Sequence, residues 1–194
     1  MKLRILIPVL LSLSASSGWA NVSFVHCYDF GCKSNQSIEF SPMQLEQVSA
    51  LFSSTHNEAE EKQSLRKAIA LMEQFSGELT GTSLGVGGNY PGSDIPNQMD
   101  CIDESTNTFQ YLHAIEKLNL LKWHKVGLKK RRIVWFVSHW TAVIEETSTK
   151  QKFAIDSWYR DNGQMPYIQL LSNWQVKKEF VKNITLIKSI ASII

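Results

Sequence analysis

Apolar residues recur at helical spacing in three stretches of the chain. The first stretch follows Ser41-Pro42, the second follows Asn57, and the third begins at Cys101 and runs to about residue 121. Side chains three and four residues apart share one face of a helix. Serine, asparagine and aspartate are the usual N-caps, as at Ser41, Asn57 and Asp100. The pattern predicts three amphipathic helices, with Gly77 as the stop of the second.

The pattern changes to that of strands in the second half of the chain. Residues 132–146 are apolar on both faces, which is typical of a strand near the middle of a sheet, and a second strand is predicted up to Tyr159. Asp161-Asn162-Gly163 is a turn signal before a further strand around residues 167–171. Residues 21–40 predict an irregular or strand-like arm, and the apolar tail after Val181 predicts either a further strand or a last helix. Helices followed by strands indicate an α+β fold.

Residues 1–20 predict a secretory signal peptide rather than part of the fold. Lys2 and Arg4 precede the apolar run Ile5–Leu13, and small residues around Ala20 provide a cleavage site. The apolar run is too short to be a stable membrane anchor. We therefore expect a periplasmic or secreted protein. Its remaining 174 residues, 21–194, are enough for a single domain with one core.

Charge gives no indication of a polyanionic partner. Two of the 20 basic residues lie within residues 1–20, which leaves 18 basic and 18 acidic side chains. We expect neither nucleic acid nor an anionic membrane as a partner. The one basic run, Lys129–Arg132, predicts a solvated turn. The stretch Gly81–Gly88 lacks the Gly-Lys-Ser/Thr ending of a phosphate loop and predicts a mobile loop that leads into the helix of Cys101.

Three cysteines leave one unpaired in an oxidising compartment. Cys27 and Cys32 enclose a short segment, and a local disulfide between them leaves Cys101 as a free thiol. Pairing of Cys101 with either of the other two is the alternative, and it would exclude an enzymatic role for this thiol. His26 beside this pair does not complete a metal site. We therefore expect no metal and no other cofactor.

Cys101, His139 and Asp156 occur in the order and setting of a thiol hydrolase. Cys101 opens a helix, where unpaired N–H groups and the helix dipole favour a thiolate, although Asp100 and Asp103 act against it. His139 and Asp156 lie on successive strands. A two-residue turn would place them directly opposite each other, and a four-residue turn would leave them diagonal on the same face. A thiol needs a base, and the base needs a partner that holds its tautomer.

The segments around these residues resemble the transglutaminase-like branch of the papain-like cysteine hydrolase superfamily. The likeness rests on Asp100-Cys101, on Ser138–Ile144 and on Ala154–Trp158. It implies a papain-like, transglutaminase-like antiparallel sheet packed on the nucleophile helix, with further helices on the N-terminal side. It also implies the roles of nucleophile, general base and acid, and orienting partner for Cys101, His139 and Asp156.

Three further residues are candidates for oxyanion or substrate contacts. Gln98 stands three residues before the nucleophile, and by the same resemblance a glutamine upstream of the cysteine contributes to an oxyanion hole. Trp140 and Trp158 flank the proposed site in sequence, as does Trp135. Trp158 shares the strand face of Asp156 and Trp135 that of His139, so one of these two rings is expected to cover the cleft. His124, in contrast, is expected at the surface.

Together these patterns predict a thiol enzyme that cleaves or transfers an amide-type acyl group, as a peptidase, an amidase or an acyltransferase. The expected substrate is a peptide or a protein, and location alone suggests a peptidoglycan peptide. Two alternatives remain open. One is a non-catalytic binding or interaction protein on the same fold. The other is a metal-supported hydrolase that uses His139, Asp156 and carboxylates around residue 103.

Overall fold

The computed structural model describes residues 22–91, 94–134 and 136–176. The predicted signal peptide, the apolar tail and Trp135 lie outside these residues. The described part is a mixed α+β fold of two antiparallel sheets and four helices. Its elements, in chain order, are β1 (Ser23–Tyr28), β2 (Ser34–Glu39), α1 (Pro42–Ala50), α2 (Glu58–Thr80), α3 (Cys101–Lys117), β3 (His124–Val134), β4 (Val137–Glu146), β5 (Lys152–Asp156), β6 (Tyr167–Leu170) and α4 (Leu171–Gln175).

The three predicted helices are present, and their N-caps are the predicted residues. The Ser41 hydroxyl accepts from the Gln44 backbone N–H, and the Asn57 side chain accepts from the Glu60 N–H. Helix α2 does not stop at Gly77 as predicted, but continues to Thr80 and ends at Gly81, whose φ is 77°. A Cβ at Gly77 would lie 2.9 Å from the Asn162 Oδ1 atom. Gly77 is therefore a point of close packing, and the left-handed terminating residue is Gly81.

Strands β3 to β6 form one antiparallel sheet in the order β3-β4-β5-β6. The single strand predicted over residues 132–146 is wrong, because β3 and β4 form a hairpin whose last pair is Val134 with Val137. Lys129–Arg132 lies within β3 rather than in a solvated turn. The predicted strand near residue 167 is confirmed as β6. The hairpin turn carries no Gly, Pro, Asn or Asp between its apolar strands, so the turn chemistry that usually signals a hairpin is missing.

The main core lies where helices α2 and α3 meet the sheet and the β1–β2 hairpin. Helix α3 packs on β4 on one side and on β1 on the other. Removal of these apolar faces from water is the main stabilising term of the fold. The largest fully buried apolar residues of this core include Phe40, Leu45, Leu65, Ile69, Met72, Tyr111, Leu112, Ile115, Ile144 and Ile155.

The start of β3 is held by a buried hydrogen bond between two side chains. His124 is buried rather than exposed as expected, and its Nδ1 atom lies 2.8 Å from Glu61 Oε1. The Glu61 carboxylate also accepts the backbone N–H groups of Lys122, Trp123 and His124. These hydrogen bonds outweigh burial and lower the pKa of Glu61. The pair therefore fixes the sheet to α2.

The structure joins Cys27 and Cys32 in a disulfide, as their spacing predicted, and leaves Cys101 free. The disulfide loop is fixed to α3. The Cys27 N–H donates to Asn107 Oδ1 over 2.8 Å, and Asn107 Nδ2 donates back to the Cys27 carbonyl over 2.9 Å. The Cys32 N–H donates to Asp103 Oδ1. A disulfide is compatible with an oxidising compartment. Within the described residues, no helix is long and apolar enough to cross a membrane.

Candidate active site

Helix α3 presents Cys101 as its first residue. The Asp100 carboxylate accepts the N–H groups of Ile102 and Asp103, and the Asp103 side chain accepts the Asp100 N–H, so the predicted capping pair is present. Cys101 is half-buried, and its Sγ atom lies 4.0 Å from the Ser138 carbonyl on β4. The thiol therefore faces the strand that carries His139.

His139 and Asp156 are brought together by the register of β4 and β5. Ala142 pairs with Ile155, which is the register of a four-residue turn at Thr147–Lys150 and leaves the two side chains diagonal on one face. His139 Nε2 lies 2.6 Å from Asp156 Oδ2, and both side chains are buried. A carboxylate only accepts, so Nε2 carries the proton of this bond, and in a neutral imidazole Nδ1 is then the nitrogen with the lone pair.

Trp174 is the second donor to the Asp156 carboxylate. Its indole Nε1–H donates to Asp156 Oδ2 over 2.7 Å, and the whole side chain is buried. The other oxygen, Oδ1, is buried and has no partner among the described residues. Asp156 is therefore held through one oxygen by two donors. Sequence reasoning missed Trp174, which lies 18 residues away in a short helix with no distinctive pattern.

Aromatic rings enclose the imidazole of His139. Its ring centroid lies 5.0 Å from that of Trp158, 5.2 Å from Tyr159 and 5.7 Å from Trp174. These contacts limit rotation of the imidazole and exclude water from the His139–Asp156 bond. A charge-assisted hydrogen bond is stronger when it is shielded in this way.

Arg132 adds a buried cation next to this cluster. It pairs with His139 across β3 and β4, its guanidinium lies 4.4 Å from the Trp174 ring centroid, and Nη1 donates to the Trp174 carbonyl. Its Nη2 donates to the Tyr159 hydroxyl over 3.2 Å. Burial raises the pKa of Tyr159 to about 12, and the charge of Asp156 adds to this, so the phenol stays neutral. Arg132 thus ties α4 and Tyr159 to the hairpin.

The resting thiol is protonated at neutral pH. Burial raises the pKa of Cys101, and the charges of Asp100 and Asp156 raise it further. Hydrogen bonds from the N–H groups of Trp140 and of Cys101 itself act in the opposite direction. The predicted advantage of the helix N-terminus is therefore exceeded by burial and by neighbouring carboxylates. A thiol in this environment needs a base before it can act as a nucleophile.

Gln98 is the anchor of the loop that precedes α3. Its Oε1 accepts the Val86 N–H over 2.9 Å and the Asn89 Nδ2–H over 2.7 Å, and its Nε2 donates to the Leu84 carbonyl over 3.0 Å. The side chain is only 1% exposed. Since its amide holds the loop, we do not assign it as an oxyanion donor. The backbone N–H groups of Trp140 and of Cys101 itself both act on the thiol.

The loop predicted to be mobile is tied to the segment after β5. The Gly88 N–H donates to the Trp158 carbonyl over 2.6 Å, and the Trp158 indole donates to the Asn89 carbonyl over 2.9 Å. A Cβ at Gly87 would lie 2.7 Å from the Arg160 backbone, so only glycine permits this approach. The loop brings Tyr90 to the site, with its ring 4.9 Å from Trp158.

The tryptophans proposed as substrate contacts have different roles. Trp158 is 6% exposed and covers His139. Trp140 is half-buried, and the Lys129 Nζ atom lies 5.8 Å from its ring centroid. Its backbone N–H lowers the pKa of the Cys101 thiol. Trp135 lies outside the described residues.

Helices α2 and α3 each bury a carboxyl group, Glu73 and Glu104 respectively. Glu73 Oε2 accepts the Gly163 N–H over 3.1 Å, and its other oxygen has no partner among the described residues. Burial raises the pKa of Glu73 to about 8. Burial, together with the charge of Glu73, raises the pKa of Glu104 well above its usual range. Both side chains are therefore mainly protonated at neutral pH.

Comparison with known proteins does not assign the chain to a family. No protein-family model matches the chain, and neither the curated proteins nor the solved structures give a match. Within residues 22–91, 94–134 and 136–176, no group of three or more histidine, cysteine, aspartate or glutamate side chains is placed to hold a metal ion. The function is therefore inferred from the site alone.

Proposed function

We propose that this chain is a periplasmic or secreted thiol enzyme that cleaves or transfers an amide-type acyl group through Cys101, His139 and Asp156. The observation that supports this most is the 2.6 Å bond between His139 and Asp156, together with a free thiol that opens a helix and lies 4.0 Å from the carbonyl of Ser138, the residue before His139. The packing of α3 on β4 is consistent with the papain-like, transglutaminase-like arrangement that the sequence resembles. We propose that arrangement for this chain as well.

The proposed reaction starts from a neutral thiol and a neutral imidazole. His139 Nδ1 takes the thiol proton as Sγ attacks the carbonyl carbon of the substrate, and the carbonyl oxygen becomes an oxyanion. The backbone N–H of Cys101 donates to that oxyanion. Asp156 stabilises the imidazolium through Nε2, and Trp174 and the surrounding rings hold this pair in place.

The acyl-enzyme forms when the bond to the leaving amine breaks. The amine takes its proton from the His139 imidazolium, which returns the base to its neutral form. Water then attacks the thioester in hydrolysis, whereas an amine attacks it in acyl transfer. In both cases His139 removes the proton of the attacking group and Cys101 is released as a thiol. A peptide or protein amide is the proposed substrate, and a peptidoglycan peptide fits the proposed compartment.

Alkylation of Cys101 by iodoacetamide tests this proposal directly. The disulfide between Cys27 and Cys32 leaves Cys101 as the only free thiol, so mass mapping gives an unambiguous readout. We expect the wild type at pH 7 to react at least about tenfold faster than His139→Ala, because the base generates the thiolate. His113→Ala is the matched control, since His113 is exposed on α3. Equal rates in wild type and His139→Ala would refute an activated thiol.

The raised pKa of Cys101 favours a second candidate. A thiol that burial and two carboxylates keep protonated is also compatible with a non-catalytic binding protein on this fold. That protein would show slow alkylation of Cys101, independent of His139. The same experiment therefore separates the two candidates.

A further inference from the structure

Four exposed apolar side chains lie on segments next to the site. Tyr90 is 56% exposed, Ile102 is 38% exposed, Phe136 is 99% exposed and Val137 is 55% exposed. They come from three separate segments: the loop before α3, the first turn of α3, and the end of the β3–β4 hairpin. We call these four residues the apolar rim.

Each segment of the rim is adjacent to a reacting group. Ile102 follows Cys101 in the first turn of α3. Val137 precedes Ser138, whose carbonyl lies 4.0 Å from the thiol, and it shares the strand face of His139 because alternate residues share a face. The Tyr90 ring packs on Trp158, which in turn packs on His139.

The position of the apolar rim indicates which chemical group of a substrate it would contact. Single exposed apolar residues are ordinary on protein surfaces, but these four lie on three segments that each contact or adjoin a residue of the site. An acyl group joined to Cys101 through a thioester is attached in the first turn of α3, next to Ile102 and beside Ser138. Asp100 carries a negative charge that acts on the same thiol, so an anionic group in this place would be repelled.

We propose that the apolar rim binds an uncharged aliphatic or aromatic group beside the carbonyl that Cys101 attacks. The substrate class is then an amide or ester whose acyl portion is apolar at that position. This inference rests on the proposed function. In the step it concerns, the Sγ–C bond forms, the bond to the leaving group breaks, and the thiol proton moves to His139.

The test compares acylation of Cys101 by p-nitrophenyl acetate and p-nitrophenyl hexanoate. Each second-order rate constant, followed by release of p-nitrophenolate, is divided by the rate constant with 2-mercaptoethanol to remove intrinsic reactivity. We expect the wild type to prefer the hexanoate at least about tenfold, since methylenes bound at an apolar site change such ratios strongly. Val137→Ser and Tyr90→Ser should each reduce the preference at least about threefold. Met43→Ser, a change at a 69% exposed residue of α1, should keep it.

The outcomes separate failure of the rim from failure of the enzyme. A normalised ratio near one in the wild type, or a preference that survives Val137→Ser and Tyr90→Ser, overturns the apolar rim. If iodoacetamide reaction still depends on His139 in that case, the proposed function stands without this specificity. If neither ester acylates Cys101 and alkylation is independent of His139, both proposals fail.

Discussion

Replacement of Trp174 by phenylalanine should weaken the triad without touching a reacting residue. The change removes the indole N–H that donates to Asp156 Oδ2 over 2.7 Å. Hydrogen bonds to charged groups contribute about 1.5–3 kcal/mol, and a buried carboxylate that loses a donor bears a desolvation cost of similar size. The other oxygen of Asp156 cannot compensate for this loss, because Oδ1 already lacks a hydrogen-bond partner among the described residues. We expect a loss of about 2–3 kcal/mol in the free energy of unfolding.

Urea unfolding at pH 7 measures this loss, and thermal unfolding should show a Tm lower by about 4–12 °C for a chain of this size. Trp123→Phe is the matched control, because its indole donates no hydrogen bond described in the structure. The rate of Cys101 alkylation should also fall in Trp174→Phe, since the His139–Asp156 pair loses its support. If Trp174→Phe and Trp123→Phe were equally stable and equally reactive, Trp174 would be only a packing residue.

Two further predictions concern the surroundings of the site. Burial raises the pKa of Glu73 to about 8, so the folded chain keeps a proton that the unfolded chain loses above about pH 4.5. The free energy of unfolding should therefore fall as pH rises between these values, by up to about 1.4 kcal/mol per pH unit from this group. Glu73→Gln should remove that contribution, which urea titrations at pH 5 and pH 8 would measure. An unaltered pH dependence would contradict the buried, protonated carboxyl. Asn107→Ala removes both hydrogen bonds to the Cys27 backbone and should cost about 2–3 kcal/mol in urea unfolding. The exposed Asn35→Ala should stay within about 0.5 kcal/mol of wild type, and an equal effect of the two changes would rule out an anchoring role for Asn107.

The sequence predicted the helix caps and the His139–Asp156 pair, because both depend on short-range interactions. The caps at Ser41, Asn57 and Asp100 follow from side chains that accept nearby N–H groups. The approach of His139 to Asp156 follows from strand alternation and an even turn length, which the structure resolves as four residues. Both depend on neighbours within a few residues or on one hairpin.

Contacts between distant segments could not be read from the chain. Arg132 belongs to a basic run that suggests solvent, yet its guanidinium is buried against Trp174 and Tyr159. His124 is buried because Glu61, 63 residues away, meets it at the start of β3. Such pairs are set by tertiary packing, which overrides the average exposure of each residue type.

The support of Asp156 by Trp174 has a consequence for transplantation of the site. The segment from Gln98 to Tyr159 contains all three proposed reacting residues. It lacks the indole that holds the carboxylate, the disulfide loop that fixes α3, and the loop that brings Tyr90. Grafted onto another scaffold, that segment would carry the three residues of the triad without the contacts that position them. A design that reproduces the geometry of the site would therefore have to transfer this segment together with the three supporting elements, which are four separate stretches of chain.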